Sequence, residues 1–500
     1  MELAACAPYH SGMKLTRICA ALCALPLAVS TLAIDLPDLG DSAVGNLPLH
    51  EEQRIAALSV RELRESGEVQ EDVEISDYLN RLGYQLVLHS NDSRFNFRFF
   101  PISSPQINAW AIPGGVIGVN CGLIVLTQHE SELAAVMAHE IGHVTQHHYA
   151  RMVESQKGSG FLTLASLALA ILAARNSSNP DTATGAIAAG QGYQIQRMLS
   201  FSREFEREAD QAGMQTLQAS GYDPSAMPTF FDRMQKFYRN VDNGAFAFLR
   251  THPVTTERIA SAEARAGKQP YKQWTDSQDY LFVRERVRVF QLGNQEAVPY
   301  YAATTAEKKF SNEAAHQYGY AAALLQAGRY DEAWTHVSAA RKALGGDHAM
   351  LASLAGQIRL AQGQYAEAAR LFNEGAARFP SSTSLKYGRI DVMLREGRNR
   401  EAAEEAQKAL SARADDPGLH QRLAQAYTGL GQNGPAHRAM GEYYALMDEP
   451  TAAIRQMQLA LKEGGDFYQL SAIESRIREL RDQLPVDKNG KPIEPGKDQP

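Results

Sequence analysis

His139, Glu140 and His143 stand in the order His-Glu-Ile-Gly-His within a 500-residue chain. On a helix, residues four apart share a face, so both imidazoles can reach one ion. Zinc suits such a pair, because it accepts nitrogen ligands in a tetrahedral shell. Glu140 follows the first histidine and stands where its carboxylate can touch a metal-bound water. Ala134, Ala135, Val136, Met137, Ala138, Ile141, Gly142 and Val144 are apolar or small, so the helix reads as buried. Two imidazoles and a carboxylate in a buried helix need partners, which argues against two solvated surface histidines.

A catalytic zinc keeps three protein ligands and one open position. The run from Ser202 to Asp210 contains Glu204, Glu206 and Glu208, and Glu206 and Asp210 are four apart beside Ala209 and Gly213. That small face can press on the histidine helix. Glu206 would then complete the metal shell, and Asp210 would accept a hydrogen bond that fixes the tautomer of a ligand histidine. Glu204 and Glu208 read as pointing elsewhere, as surface charges; the competing view of the whole run is a charged helix face. His252-Pro253 is a further candidate, since proline holds the residue before it in extended backbone. Three readings of His252 stay open: a buried structural residue, an oxyanion donor, or a fourth metal ligand. His129, His147 and His148 read as solvated or structural.

Helices and a small sheet must position these groups. Residues 51–67 and 75–89 have helical spacing, with Ile75, Leu79, Leu82 and Leu86 on one face. Residues 95–99 alternate and predict a strand. Asn108-Ala109-Trp110-Ala111-Ile112, the turn Pro113-Gly114-Gly115 and residues 116–119 predict strand, turn and strand. Residues 130–151 predict one long helix, capped by Thr127 or Ser131, and residues 202–220 another, broken by Gly221-Tyr222-Asp223-Pro224. Residues 161–174 form an alanine-rich apolar stretch, shorter than the roughly 20 residues that span a bilayer. It reads as a buried helix, with a mobile or membrane-leaning lid as the alternative. Residues 176–192 and Asn243-Gly244-Ala245 have the composition of flexible links.

The beginning of the chain reads as an export signal, residues 1–33. Lys14 and Arg17 precede an apolar run at 18–32, and Thr31 and Ala33 occupy the small positions before a cleavage site. Met13 is an alternative start. The run is short for a membrane anchor, and Leu22 before Cys23 argues against a lipoprotein. Of four cysteines only Cys121 would remain after cleavage, so no internal disulfide forms and packing must supply stability. The expected compartment is the periplasm. With 44% hydrophobic and 21% charged residues, the composition excludes wholesale disorder and collagen-like or disulfide-scaffold classes. A net charge of −7 gives no sign of a nucleic-acid partner, and none is expected.

From about residue 281 the composition turns to alanine-rich helices. Gly293, Gly328, Gly363, Gly397 and Gly431 recur at spacings of 35, 35, 34 and 34. The clearest copy is Gly363-Gln-Tyr365-Ala-Glu-Ala368, followed by Phe372 and Pro380, with Gly356 before it. This resembles a tetratricopeptide repeat, a helix–turn–helix unit of about 34 residues. Small residues let its two helices close, and aromatics fill the gap. The copy at Gly293 is the weakest and reads as a cap. The helix after Gly431 runs to Asp448-Glu449-Pro450 and serves two units. The expected organisation is a peptidase domain at 34–270, repeats at 281–484 and a disordered tail at 485–500.

His139 to His143, Glu206-x-x-Ala209-Asp210, the segment from Asn108 to Gly115, and Thr251-His252-Pro253-x-Thr255-x-x-Arg258-Ile259 together resemble the HtpX-like zinc metallopeptidases, a gluzincin group. With an export signal and C-terminal repeats, the layout is similar to that of periplasmic proteases of outer-membrane barrel assembly. The resemblance implies a mostly α fold: a zincin-like metallopeptidase domain with a small β-sheet, followed by an α-helical tetratricopeptide-repeat solenoid. It implies a zinc-dependent metalloendopeptidase with one zinc ion per chain. Its implied clients are unfolded or misassembled outer-membrane proteins, with a second role as chaperone and contact with the barrel assembly machinery through the repeats. Asp210 is sometimes the proton donor in such enzymes; a supporting role behind a ligand is the equal alternative. Trp110 departs from the phenylalanine often found there. Asn108, Ala109, Trp110 and Ala111 would form an edge strand for extended substrate. The competing function is a chaperone or scaffold with a latent zinc site.

Overall fold

The computed structural model describes residues 49–92, 95–155, 203–240, 247–268 and 273–484. The export signal and the loop after it, residues 161–174, 176–192 and 243–245, and the tail from Pro485 lie outside the described residues.

Helices α1 (Leu49–Glu65) and α2 (Val73–Val87) lead into strands β1 (Arg98–Ile102), β2 (Ala109–Ile112) and β3 (Val116–Asn120). Asp72 starts α2 by accepting hydrogen bonds from the N–H groups of Glu74 and Ile75. Ile75, Leu79, Leu82 and Leu86 are all buried, as their spacing predicts. The first strand is displaced from its expected place. Phe97 N–H bonds back to Phe95 C=O, a tight turn that keeps both residues off the ladder. β1 therefore begins at Arg98, parallel to β3 with Arg98 opposite Val116. β2 runs antiparallel to β3 with Ala109 opposite Val119, so the order is β1-β3-β2 and β2 is an edge.

The helices that follow are α3 (Cys121–Leu126), α4 (Glu130–Thr145), α5 (His148–Ser155), α6 (Arg203–Ala219), α7 (Ala226–Asn240), α8 (Ala247–Thr251) and α9 (Thr256–Ala266). Every residue of α4 is buried. The single helix expected over 130–151 is broken: α4 stops at Thr145, His147 takes φ 53, and α5 restarts at His148. α6 crosses α4 at a contact of small residues. A Cβ on Gly142 would lie 3.0 Å from Ala209 O, and one on Gly213 would lie 3.0 Å from His139 N. Larger residues there would hold Glu206 and Asp210 away from the histidines.

The repeat region comprises α10 (Gln278–Ala306), α11 (Glu313–Gln326), α12 (Tyr330–Leu344), α13 (Ala349–Ala361), α14 (Tyr365–Arg378), α15 (Thr383–Arg395), α16 (Asn399–Leu410), α17 (Pro417–Gly429), α18 (Asn433–Leu446), α19 (Pro450–Glu463) and α20 (Phe467–Arg481). Gly293 splits α10 with φ 66, close to the φ of 73, 73, 72 and 70 at Gly328, Gly363, Gly397 and Gly431. The weakest sequence copy thus also breaks its helix at a positive-φ glycine, although its ψ of −174 lies outside the left-handed helical region. α18 packs on both α17 and α19. Phe372 fills the space over Gly356 and Gly388.

The composition change near 281 is not a break in packing. One apolar core runs from Ile55 through Tyr280, Phe282 and Val287 to Leu371. Arg286 on α10 reaches Asp72 at 2.7 Å and Glu74 at 3.2 Å. At the other end of the repeats, Asp448 receives Arg98 at 2.7 Å and Arg64 at 3.5 Å.

Candidate active site

α4 presents His139 and His143 on one face, and their Nε2 atoms are 3.1 Å apart. Across the small-residue contact, α6 brings Glu206 Oε2 to 3.5 Å from His139 Nε2 and Glu206 Oε1 to 3.6 Å from His143 Nε2. The segment after α8 adds His252, whose Nδ1 is 2.9 Å from Glu206 Oε1 and 3.4 Å from His139 Nε2. One ligand atom from each of these four residues lies within 4.8 Å of every other, and all four residues are buried.

This donor set fits a metal. Asp210 Oδ1 sits 3.0 Å from His139 Nδ1, which places the ring proton there and leaves Nε2 as a bare lone pair. Tetrahedral ligands at zinc distances lie about 3.3 Å from one another, the range seen among these atoms. Both oxygens of Glu140 are buried without a hydrogen-bond partner among the described residues. The Ala111 N–H approaches that carboxylate, and His252 Nε2 is 3.4 Å from its Oε1.

Electrostatics separates the two glutamates. Burial raises the Glu140 pKa above the carboxylate norm, only partly opposed by His252 and His139. Burial would raise Glu206 too, but His252 and Arg258 outweigh it and hold Glu206 below the norm. Asp210 is likewise brought down to about 2 against burial, by Arg258 and His139. Burial lowers His143 well below its ordinary value. For His252 burial acts downward as well, yet Glu206 and Glu140 raise its pKa. One glutamate is thus poised to take a proton while its neighbour stays ionised.

Arg258 is the cation that sequence reasoning left without a role. Its Nε and Nη2 each lie 2.7 Å from Asp210, and Nη1 is 2.6 Å from Glu206 Oε2 and 2.8 Å from Pro253 O. Two carboxylates on one buried face require a compensating charge, and that requirement was its signal. Glu208 corrects the reading of a surface charge: it bonds His148 Nε2 at 3.0 Å and Arg151 at 2.5 Å. His148 is fully buried, not solvated, and burial takes its pKa down to about 4 against the pull of Glu208. Glu204 is exposed.

Asn108, Ala109, Trp110 and Ala111 are all buried. Asn108 C=O accepts from Asn120 N–H on β3 at 3.0 Å. The Trp110 ring lies on Gly118. The outer edge of β2 is covered: Phe248 N–H donates to Ile107 C=O at 3.2 Å, and the Tyr149 hydroxyl donates to Ala111 C=O.

A buried His-Glu-x-x-His helix backed by a glutamate helix and a small sheet is the architecture of a metallopeptidase. Peptidase family M48 matches residues 75–266, and tetratricopeptide repeats match 286–348 and 354–417. The Beta-barrel assembly-enhancing protease of Escherichia coli strain K12 is 32% identical over 464 residues, covering 91% of this chain and 93% of that protein. The Putative beta-barrel assembly-enhancing protease of Vibrio cholerae is 35% identical over 63% of this chain and 65% of its own length. The Mitochondrial metalloendopeptidase OMA1 of Schizosaccharomyces pombe is 29% identical over 37% of this chain and 51% of its own length. The chain belongs to the beta-barrel assembly-enhancing proteases of peptidase family M48.

Proposed function

We propose that this metallopeptidase is a zinc metalloendopeptidase of the bacterial periplasm, holding one zinc ion per chain on His139, His143 and Glu206. The observation that carries the reading is the buried convergence of these ligand atoms beside the buried carboxylate of Glu140. When bound, zinc supplies a Lewis acid that acidifies water and polarises a carbonyl oxygen. Glu140 takes the proton from the attacking water and returns it to the leaving amine. Asp210 holds His139 in its tautomer, and Arg258 keeps Asp210 and Glu206 ionised. An extended client segment would pair with β2, and the concave repeat surface would hold more of it. By likeness to the relatives' names, the clients are unfolded or misassembled outer-membrane proteins. The repeats would meet the barrel assembly machinery and lend a chaperone role. The domain limits of 34–270 and 281–484 and the leader at 1–33 belong to the same reading.

Glu140→Gln is expected to keep zinc and lose casein cleavage by a factor of at least about 100. Proteomics of clients trapped on that variant identifies the substrates. Undiminished cleavage would reject Glu140 as base. Zinc retention by a wild-type chain that cleaves nothing would favour a scaffold with a latent site.

His252 has a second role in this reading: a resting cap. One segment both supplies His252 to the ligand cluster and donates Phe248 N–H to the strand segment substrate would use. Phe248 stacks on the His252 ring, centroids 4.8 Å apart, and would have to leave with it. His252→Ala should raise basal proteolysis if the residue caps the ion, and lower it if the residue is an oxyanion donor.

A further inference from the structure

In an unbroken helix, residue 148 would lie about 140° around the axis from His143 and could not face it. The chain instead leaves α4 at Gln146, makes a left-handed step at His147 (φ 53) and restarts at His148. That step returns the His148 ring to His143, Nδ1 to Nδ1, at 2.9 Å. On its other side, His148 Nε2 is 3.0 Å from Glu208 Oε2. Arg151 holds the same carboxylate with Nη1 at 2.5 Å and Nη2 at 3.3 Å. Phe205 lies flat on the His148 ring, centroids 4.5 Å apart at 11°, and the Arg151 guanidinium sits 4.6 Å from that phenyl ring.

We propose that His148 is a positioning residue for the metal centre: it accepts the Nδ1–H of His143 and so holds that imidazole in the tautomer that leaves Nε2 for the ion. The proposal rests on His143 being a ligand. A neutral imidazole carries one ring proton. His143 Nε2 faces His139 and Glu206, so as a ligand atom it bears none, and the proton belongs on Nδ1. Two ring nitrogens at 2.9 Å need one donor and one acceptor, which makes His148 Nδ1 the acceptor. The His148 proton then sits on Nε2 and points at Glu208. Arg151 keeps Glu208 an acceptor and fixes its direction. Each bond allows one arrangement of the next, from a half-exposed carboxylate inward to the ligand. Ligand histidines commonly donate to a carboxylate or carbonyl, and His139 has Asp210 Oδ1 3.0 Å from its Nδ1. His143 uses a second imidazole instead, and α5 and α6 both contribute to holding it.

The test uses the full chain with His148→Phe, His148→Asn and Glu208→Gln. Zinc affinity is read by competition with a chelator, the ligand field by the visible spectrum of cobalt-loaded protein, and stability by the Tm of metal-free protein. His148→Phe keeps the ring on Phe205 but removes the acceptor. It should weaken zinc binding by about 10- to 100-fold and shift the cobalt spectrum. His148→Asn offers Oδ1 near the position of Nδ1 and should recover most of that loss, although it packs less well. Glu208→Gln should weaken binding in the same direction by less. Wild-type zinc affinity in His148→Phe would overturn the proposal. So would equal losses in the Phe and Asn variants that track the metal-free Tm, since packing alone would then explain them. If His148→Phe does not fold, unchanged affinity in Glu208→Gln overturns it. His143→Ala separates the two levels: full zinc retention there would reject the ligand assignment itself, whatever the His148 variants do.

Discussion

The peptidase and repeat regions handle charge in opposite ways. In the first, His139, Glu140, His143, Glu206, Asp210, His252 and Arg258 are all buried, and each is answered by another of the set. In the repeats, many charge pairs lie outside on neighbouring turns, such as Arg329 with Glu332, Arg370 with Glu367 and Glu374, and Arg398 with Glu401, and others link adjacent repeats, such as Arg422 with Asp391 and Arg378 with Asp347. Their interior is largely apolar, of alanine with leucine, isoleucine and methionine, such as Leu354, Ile390, Leu419, Ile454 and Met457. Exposed pairs of this kind contribute little, whereas a buried charge that loses its partner costs much. The peptidase region is therefore organised by long-range compensation, with residues near 140, 206 and 252–258 depending on one another. The repeats are organised by local shape, renewed every 34 or 35 residues. The regions meet at Arg286, where the first repeat helix lends a cation to Asp72 and Glu74 of the peptidase side.

The comparison breaks most clearly at Arg258. Arg258→Ala leaves Glu206 and Asp210 buried without their cation and should cost about 3–5 kcal/mol in metal-free protein. Added zinc should restore part of this, because it supplies positive charge to the same carboxylates. Thermal melts with chelator and with zinc measure the difference. An equal loss in both would reduce Arg258 to packing.

The repeat counterpart is Gly388→Ala. A Cβ there would enter the Phe372 ring, so overpacking should cost about 3 kcal/mol. Zinc affinity and casein cleavage should not change. Loss of zinc in this variant would show that the two regions are not energetically separable.

The smallest effect concerns a carboxylate of the peptidase region that has no cation beside it among the described residues. Burial raises Glu52 from 4.5 to about 7, opposed by the Gly114 N–H and assisted by Asp92. The folded-state pKa lies above the unfolded one, so this contribution to stability is complete below about pH 4.5 and is lost as pH rises through 7. Glu52→Gln is neutral at every pH. It should match wild type near pH 4 and exceed it by about 1–2 kcal/mol at pH 8, as urea titrations at the two pH values would measure. No gain at pH 8 would place the Glu52 carboxylate in contact with water.

Much of the site was legible because helical spacing is a local property. His139 and His143, and Glu206 and Asp210, are each four apart, and the residues between and beside them are small enough for two helices to touch. The repeats were legible for the same reason, since each turn glycine reports its own backbone. Strand β1 was misplaced by three residues, because the Phe95-Phe97 alternation describes burial of rings and not a ladder. The break after Thr145 was invisible: His147 carries no sequence mark for a left-handed conformation.

The sequence by itself determined the set of donor side chains, the faces that carry them and the period of the solenoid, because these depend on residue type and on spacing within one turn or one repeat. Only the tertiary structure decided which cation meets Glu206 and Asp210, that Glu208 reaches His148, and that the loop bearing His252 lies over both the ligand cluster and the β2 edge. These pairings join segments from 46 residues apart, Glu206 to His252, to 141 apart, Ile107 to Phe248. No local preference selects them; they form because a buried charge or bare nitrogen must find a partner, and the packed helices determine which one is within reach.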